Sequence, residues 1–221
     1  MCGRFTLFTS WTEIYDLYNL TRDADRGRNT APRYNIAPTQ DVPFVHLDKE
    51  GNQVVSDGQW WLVPHWAKEK PKWAMFNARS EDADKKPAFR DAFKSKRCLI
   101  PADGFYEWTK ADDGGKDPWW IHLPDARPFS FAGLWAHNDA LDITSCTILT
   151  AAATEPVKQL HDRMPIILDP DAYDAWLDPE NPADEAKALL NKNLDGQLEF
   201  HRVSRNVNTF KYHDADAIEP I

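Results

Sequence analysis

Between Val42 and Ala153 the sequence keeps returning to one texture, in which short runs of β-branched and aromatic residues are each closed by a turn signal. "VPFVHL" gives way to "KEGN", "QVVSDGQWWLVP" ends on a proline, and "GFYEWTK" runs into "ADDGGKD". "RCLIP", "PWWIHL", "RPFSFAGLWA" and "TSCTILTAAA" continue the pattern. Short strands joined by Gly/Pro/Asp turns pair with their chain neighbours, so the texture predicts a mostly antiparallel sheet. Helical signals flank it. In "FTSWTEIYDLYNL", Ser10 and Glu13 have capping-box spacing, and Ile14, Leu17 and Tyr18 share a face. "KPAFRDAFKS", "TEPVKQLH", "PDAYDAWL" and "PADEAKALLNKNL" also read as helical, the last two opening near prolines. "QLEFHRVS" reads as a final strand, and the polar "TRDADRGRNTAPRYNIAPTQ", broken by Gly27, Pro32 and Pro38, as a long loop. The expected fold is α+β: a single domain over residues 1–221 with a curved, mostly antiparallel, barrel-like β core and flanking short helices.

A chain of 221 residues with 42% hydrophobic residues, ten tryptophans among them, can bury a sizeable core. No apolar run reaches the roughly 20 residues of a membrane span, and the N-terminus lacks a signal peptide's basic and apolar regions. A cytoplasmic protein without membrane contact is expected. The net charge of −9 excludes gripping nucleic acid by overall charge, so any such binding needs a local basic patch. Aspartate supplies 25 of the 35 acidic residues, which fits either a salt-adapted surface or a drifted one.

The three cysteines, Cys2, Cys98 and Cys146, are far apart and form no CxxC or Cys/His pair, which argues against disulfides and a metal site. Cys98 and Cys146 fall in strand-like apolar runs and read as small buried hydrophobes. Cys2, in "MCGRF", is different. Once Met1 is removed, Cys2 carries a thiol and an α-amine on adjacent carbons. Three further stretches are odd for pure packing. "FNARSE" groups Asn77, Arg79 and Glu81; "ADGFYEW" sets Glu107 among Phe105, Tyr106 and Trp108; "LHDRMP" sets His161 and Arg163 before a Met-Pro break. A carboxylate among aromatics is desolvated and suited to proton transfer. Each stretch also has an ordinary reading: a solvent-facing strand glutamate, a helix-end histidine, a turn asparagine, surface arginines in weak ion pairs.

Taken in order, "MCGRF", "RYNIAPTQ", "LVPHWAK", "NARSE", "KPAFRDAF", "RCLIPADGFYEW", "AGLW", "TILTAAA", "HDRMPIIL" and "VSRNVN" resemble the SOS response-associated peptidase (SRAP) family from Met1 to about Asn208. The resemblance implies a protein that loses Met1 and then captures the ring-opened abasic sugar of single-stranded DNA as a thiazolidine crosslink that shields the lesion. By motif position, Cys2 is the nucleophile, Asn77 positions it, and Glu107 and His161 handle protons. Arg4, Arg79 and Arg163 are placed to hold phosphates, and Pro38, Trp66 and Trp108 to wedge or stack beside the lesion. A monomer without cofactor or metal is implied, cytoplasmic and nucleoid-associated when acting on DNA.

The chemistry is consistent with the resemblance. An α-amine with a pKa of about 8 is more often neutral near pH 7 than a lysine at about 10.4, and the neighbouring thiol closes a five-membered ring intramolecularly. Two positions depart from the family pattern: Trp61 stands where the family has glycine, and Ala136 where it has glutamate. An indole at 61 is expected to crowd any strand or DNA backbone passing close by. Two other readings stay open at the level of sequence: an N-terminal-nucleophile amidohydrolase, which also begins Met-Cys-Gly, and a non-covalent reader of modified single-stranded DNA. Peptidase activity, as the family name implies it, would be confined to Met1.

Overall fold

The computed structural model describes residues 2–18, 20, 28 and 31–221. Its strands run in chain order as β1 (Phe5–Leu7), β2 (Arg33–Ile36), β3 (Asp41–Leu47), β4 (Gln53–Trp60), β5 (Asn77–Arg79), β6 (Arg97–Ala102) and β7 (Gly104–Lys110). They continue as β8 (Lys116–His122), β9 (Phe129–Asn138), β10 (Ile143–Ala152), β11 (Arg163–Pro165), β12 (Ile167–Leu168) and β13 (Glu199–Arg202). Two hairpins are those the turn signals predict, β3 with β4 and β7 with β8, and β9 pairs with β10 as a third, all antiparallel.

The strands form two sheets. One has the order β13-β8-β7-β1-β2, and the other runs β11-β10-β4-β3-β6-β9-β12 with β5 added on β10. Because β9 also pairs with β10, the circuit β10-β4-β3-β6-β9 returns on itself, and this sheet is partly ring-like. The closing contacts include the parallel pair of β10 with β4, through Ser145↔Gln59 and Cys146↔Trp60. The chain is thus a single domain of mixed α/β content with extensive antiparallel sheet, as expected. Cys98 and Cys146 are fully buried within strands β6 and β10.

Helix α1 (Trp11–Leu17) starts on the predicted capping box: Glu13 N–H donates to Ser10 Oγ (3.3 Å) and Ser10 N–H to Glu13 Oε2 (3.1 Å). Trp11 and Ile14 are the buried face. Short helices Arg90–Ser95, Tyr173–Leu177 and Ala183–Leu189 occupy three other predicted stretches. "TEPVKQLH" yields only the 3-10 turn Val157–Gln159, because Val157 alone within that turn is buried. Of the loop expected over residues 21–40, 21–27, 29 and 30 lie outside the described residues. Residues 33–36 are strand β2 instead, since Phe5↔Ile36 pairing supplies the backbone partners that local composition does not advertise.

A buried carboxyl outside the sheets carries a cost to the fold. Asp195 is 8% exposed and its Oδ1 has no partner among the described residues. Burial pushes its carboxyl up to about 6. The unfolded carboxyl ionises near its ordinary value of about 3.9. As pH rises from there toward 6, ionisation stabilises the unfolded chain first, so the stability present at low pH is progressively lost. Asp195→Asn is therefore expected to stabilise the fold by on the order of 2 kcal/mol at pH 7 and by little at pH 4. Urea melts at the two pH values check this; equal effects at both would refute it.

Candidate active site

The N-terminus is delivered to its place by backbone pairing. β1 lies between β2 and β7, with Phe5 opposite Phe105 and Thr6 opposite Gly104. Tyr106 N–H donates to Arg4 O (2.9 Å) and Asp103 N–H to Thr6 O (3.0 Å), so the pairing extends past the strand ends. Phe5 is fully buried edge-on to Trp60 (5.0 Å) and Phe131 (5.7 Å). Gly104 is required at this crossing, because a Cβ there would collide with the indole of Trp120. Cys2 follows from this anchoring: it is 0% exposed, and its thiol donates to Arg4 O at 3.8 Å. Met1 lies outside the described residues.

Three further elements converge on Cys2. Asn77, first residue of β5, donates Nδ2–H to Cys2 O at 2.7 Å, while its buried Oδ1 has no partner among the described residues. Glu107 on β7 is 3% exposed rather than solvent-facing, and its charge helps to raise the Cys2 thiol. His161 acts electrostatically on Glu107 from the turn before β11. Strand β10 holds the last two components in register, pairing Ile148 with Asn77 on one side and Ala152 with Arg163 on the other. His161 Nδ1 lies 2.9 Å from Arg163 N–H and 3.2 Å from Arg163 O, so the Arg163 backbone orients the ring in either tautomer. Cys2, Asn77, Glu107 and His161 are thus brought together.

The electrostatics follow from burial. Desolvation, reinforced by Glu107, drives the Cys2 thiol well above the ordinary cysteine range, so it is a neutral S–H near pH 7. Desolvation likewise raises Glu107, with the electrostatic effect of His161 pulling the other way. A buried carboxyl of this kind gives and accepts protons nearer neutrality than an exposed one.

The other predicted residues divide. Trp108 packs near Tyr106 (6.2 Å), lies under the Arg4 guanidinium (5.7 Å) and donates Nε1–H to Asn208 Oδ1 (2.7 Å). Arg4 donates through Nη1 to Asn35 Oδ1 (2.6 Å) and Val207 O (3.1 Å), tying the late segment to the N-terminus. Arg163 forms a bidentate pair with Glu81 and also donates to Thr150 O (2.7 Å). Arg79 is exposed and has no ion pair among the described residues. Pro38 is half-buried in the turn after β2, and Trp66 is 52% exposed; no hydrogen bond joins either to the Cys2 cluster among the described residues. Asn35 was missed by sequence reasoning, although it sits inside the quoted "RYNIAPTQ". It is fully buried and donates to Val207, Thr209 and Tyr212 carbonyls, a role only the tertiary structure reveals.

The two departures have local accounts. The indole at 61 is accommodated: its Nε1–H donates to Pro71 O (3.1 Å) and its ring packs by Phe76 (5.9 Å). Ala136 is buried in β9, at the wall of a cavity of about 470 Å³.

The chain's N-terminal segment thus places a buried cysteine, its carbonyl held by an asparagine, within electrostatic reach of a buried carboxyl. The chain belongs to the SOS response associated peptidase (SRAP) family, whose model matches residues 1–210. It is 39% identical over 224 residues to "Abasic site processing protein YoaM" of Bacillus subtilis (strain 168), covering 99% of this chain and 98% of the relative. It is 28% identical to "Abasic site processing protein YedK" of Escherichia coli (strain K12), covering all of both chains. A crystal structure of a Bacteroides thetaiotaomicron protein matches the fold across all of both chains with a TM-score of 0.83 at 20% identity.

The three cysteines are free and buried, which yields a direct expectation. At pH 8 the folded protein is expected to react with Ellman's reagent at least tenfold more slowly than free cysteine, and the unfolded chain to release three equivalents. Because its thiol is raised, Cys2 labelling is expected to show no plateau near the ordinary value of about 8.5. A plateau there, followed by peptide mapping, would reveal an unshifted thiol.

Proposed function

We propose that this protein captures abasic sites in single-stranded DNA through Cys2 after hydrolytic removal of Met1, leaving a thiazolidine crosslink that shields the lesion. Relatives named abasic site processing proteins support a role on such DNA lesions. The observation that carries the finer reading is the Asn77–Cys2 carbonyl bond, which fixes the cysteine backbone beside Glu107 and leaves a buried Asn77 Oδ1 to accept an N–H or O–H.

The chemistry then runs in a definite order. His161 and Glu107 assist opening of the sugar to its aldehyde by giving and taking protons. The neutral α-amine of Cys2 adds to the aldehyde carbon, and the resulting hydroxyl, protonated by Glu107, leaves as water to give an imine. The Cys2 S–H then adds across the C=N bond, sulfur to carbon and proton to nitrogen, and closes the five-membered ring. The raised thiol favours this order, because the amine rather than a thiolate is the first nucleophile available. It also disfavours a peptidase or amidohydrolase mechanism that starts from a thiolate: the Cys2 thiol donates to a backbone carbonyl, not to an imidazole.

Arg79 is the guanidinium open to a backbone phosphate, and Arg4 sets the Trp108 ring for stacking. Arg163 reaches phosphate by exchanging its bond to Glu81, an exposed carboxylate. Pro38 and Trp66 line the approach of the strand. No metal or cofactor takes part, the protein acts as a monomer, and its work is cytoplasmic, on the nucleoid. Among the described residues no helix is long and apolar enough to cross a membrane.

Intact-protein mass spectrometry with an abasic oligonucleotide is the test. Loss of Met1 and a gain of the oligonucleotide mass less one water are expected, with no adduct for Cys2→Ala or for an intact strand. Glu107→Gln is expected to slow adduct formation by about 10²–10⁴-fold, the usual range for a general acid–base group. Undiminished crosslinking by Cys2→Ala would overturn the reading.

A further inference from the structure

Trp66 and Trp73 are the two tryptophans left open to solvent, at 52% and 64% exposure, and the short segment between them carries Lys68, Glu69, Lys70 and Lys72. Three ammonium groups against one carboxylate make a locally basic stretch in a chain of net charge −9. Lys68 and Lys72 are exposed and have no ion pair among the described residues. The backbone beneath them is braced. Trp61 Nε1–H donates to Pro71 O (3.1 Å), the Lys70 ammonium lies 5.8 Å from the Trp61 ring, and Leu62 N–H donates to Met75 O (3.1 Å). Between Trp66 and Trp73 lies a largely apolar cleft of about 180 Å³, walled also by Pro64, Pro71 and Ala88.

We propose that the Trp66–Trp73 segment is a second nucleic-acid contact surface, which takes a nucleotide of the single strand flanking the lesion: its base enters the cleft against Trp73 and its phosphates meet Lys68 and Lys72. This rests on the capture reading for the identity of the strand. The occupant follows from the combination of features. Fixed positive charge selects a polyanion, while exposed indoles beside an apolar cleft select one that offers flat ring faces. A duplex hides those faces within its stack, and a bare polyphosphate has none. Position agrees as well. Asn77 is only four positions on from Trp73, at most about 14 Å of extended chain, so a strand leaving the Cys2 site passes within reach. Trp61 acts here as a positioning residue. The indole that replaces the family's glycine holds the lysine-bearing backbone in place.

The test is binding of an intact 16-residue oligo-dT, read by fluorescence anisotropy between 50 and 200 mM salt. Trp73→Ala is expected to weaken binding about tenfold, within the range for loss of one stacked base, and Trp73→Phe to recover part of it. Lys68→Gln with Lys72→Gln is expected to reduce the slope of log affinity against log salt by about 1.4, since each single-strand phosphate contact contributes about 0.7. Lys192→Gln, an exposed lysine outside this segment, serves as the charge control and is expected to leave the slope unchanged. Wild-type affinity and slope in both the Trp73→Ala and the double lysine variants, with native melting temperatures, would overturn the proposal. A wild type that binds the strand but never gains adduct mass on abasic DNA sinks the capture reading instead, and weakened binding by the variants still supports this surface. No binding by the wild type overturns both.

Discussion

Everything at the N-terminus depends on the pairing of a three-residue strand, β1, between β2 and β7. Three residues of ladder are too few to hold a chain end alone, so side chains reinforce the pairing. Phe5 is driven into the core against Trp60 and Phe131, Thr6 Oγ1–H donates to Gly104 O (3.2 Å), and the Asp103 carboxylate receives Thr9 N–H (3.1 Å). Gly104 lets Trp120 close over the crossing. With Phe5 fixed opposite Phe105, Cys2 has little choice of position, and Glu107, two residues beyond Phe105, comes near it. The site is thus a consequence of register: a slip of one residue would move Glu107 to the other face of β7.

That register places two acids, a thiol and a carboxyl, in one desolvated space. Burial disfavours both anions, and each anion further disfavours the other. For a thiolate enzyme this would be a handicap. On the proposed capture reading, in which an amine is the first nucleophile, it is not, because no thiolate is required. The same burial shields the thiol from oxidants and electrophiles in solution.

How much of this could be read beforehand depended on the range of the forces involved. The hairpins and the Ser10–Glu13 cap were legible because their signals lie within a few residues of one another. Closure of β10 on β4 was not, since parallel register between Cys146 and Trp60 is set across 86 residues by packing. β2 was hidden for the same reason: its strand state comes from β1 and from the bonds of Asn35 to the late segment. Cys2 and the three residues around it were named through ordered motifs, yet the burial of Glu107 was only half legible, because its aromatic neighbours suggest desolvation while a strand glutamate in "GFYEWTK" reads equally as solvent-facing. Likewise the commitment of Arg163 to Glu81, 82 positions away, is a tertiary fact that a run of "HDRMP" cannot carry.

The acidic surplus of the chain is best understood together with where its cations sit. Arg202 and Arg205 are paired with aspartates, Lys187 with Asp84, and Arg163 with Glu81, so these charges are neutralised within the fold. The Lys68–Lys72 stretch differs by concentration, since three lysines fall within five positions beside two exposed indoles, and Arg79 lies a few positions further along the chain. Local potential, not net charge, steers a polyanion at short range, since contributions beyond a Debye length of about 8 Å are screened at physiological salt. On the proposed capture reading a negative remainder favours a flexible single strand, which can lie along a narrow basic track, over a stiff duplex, which would bring its second strand against carboxylates. Weak reversible contact fits that reading, because searching many intact strands requires release, and a covalent bond would supply durability only where an aldehyde is found.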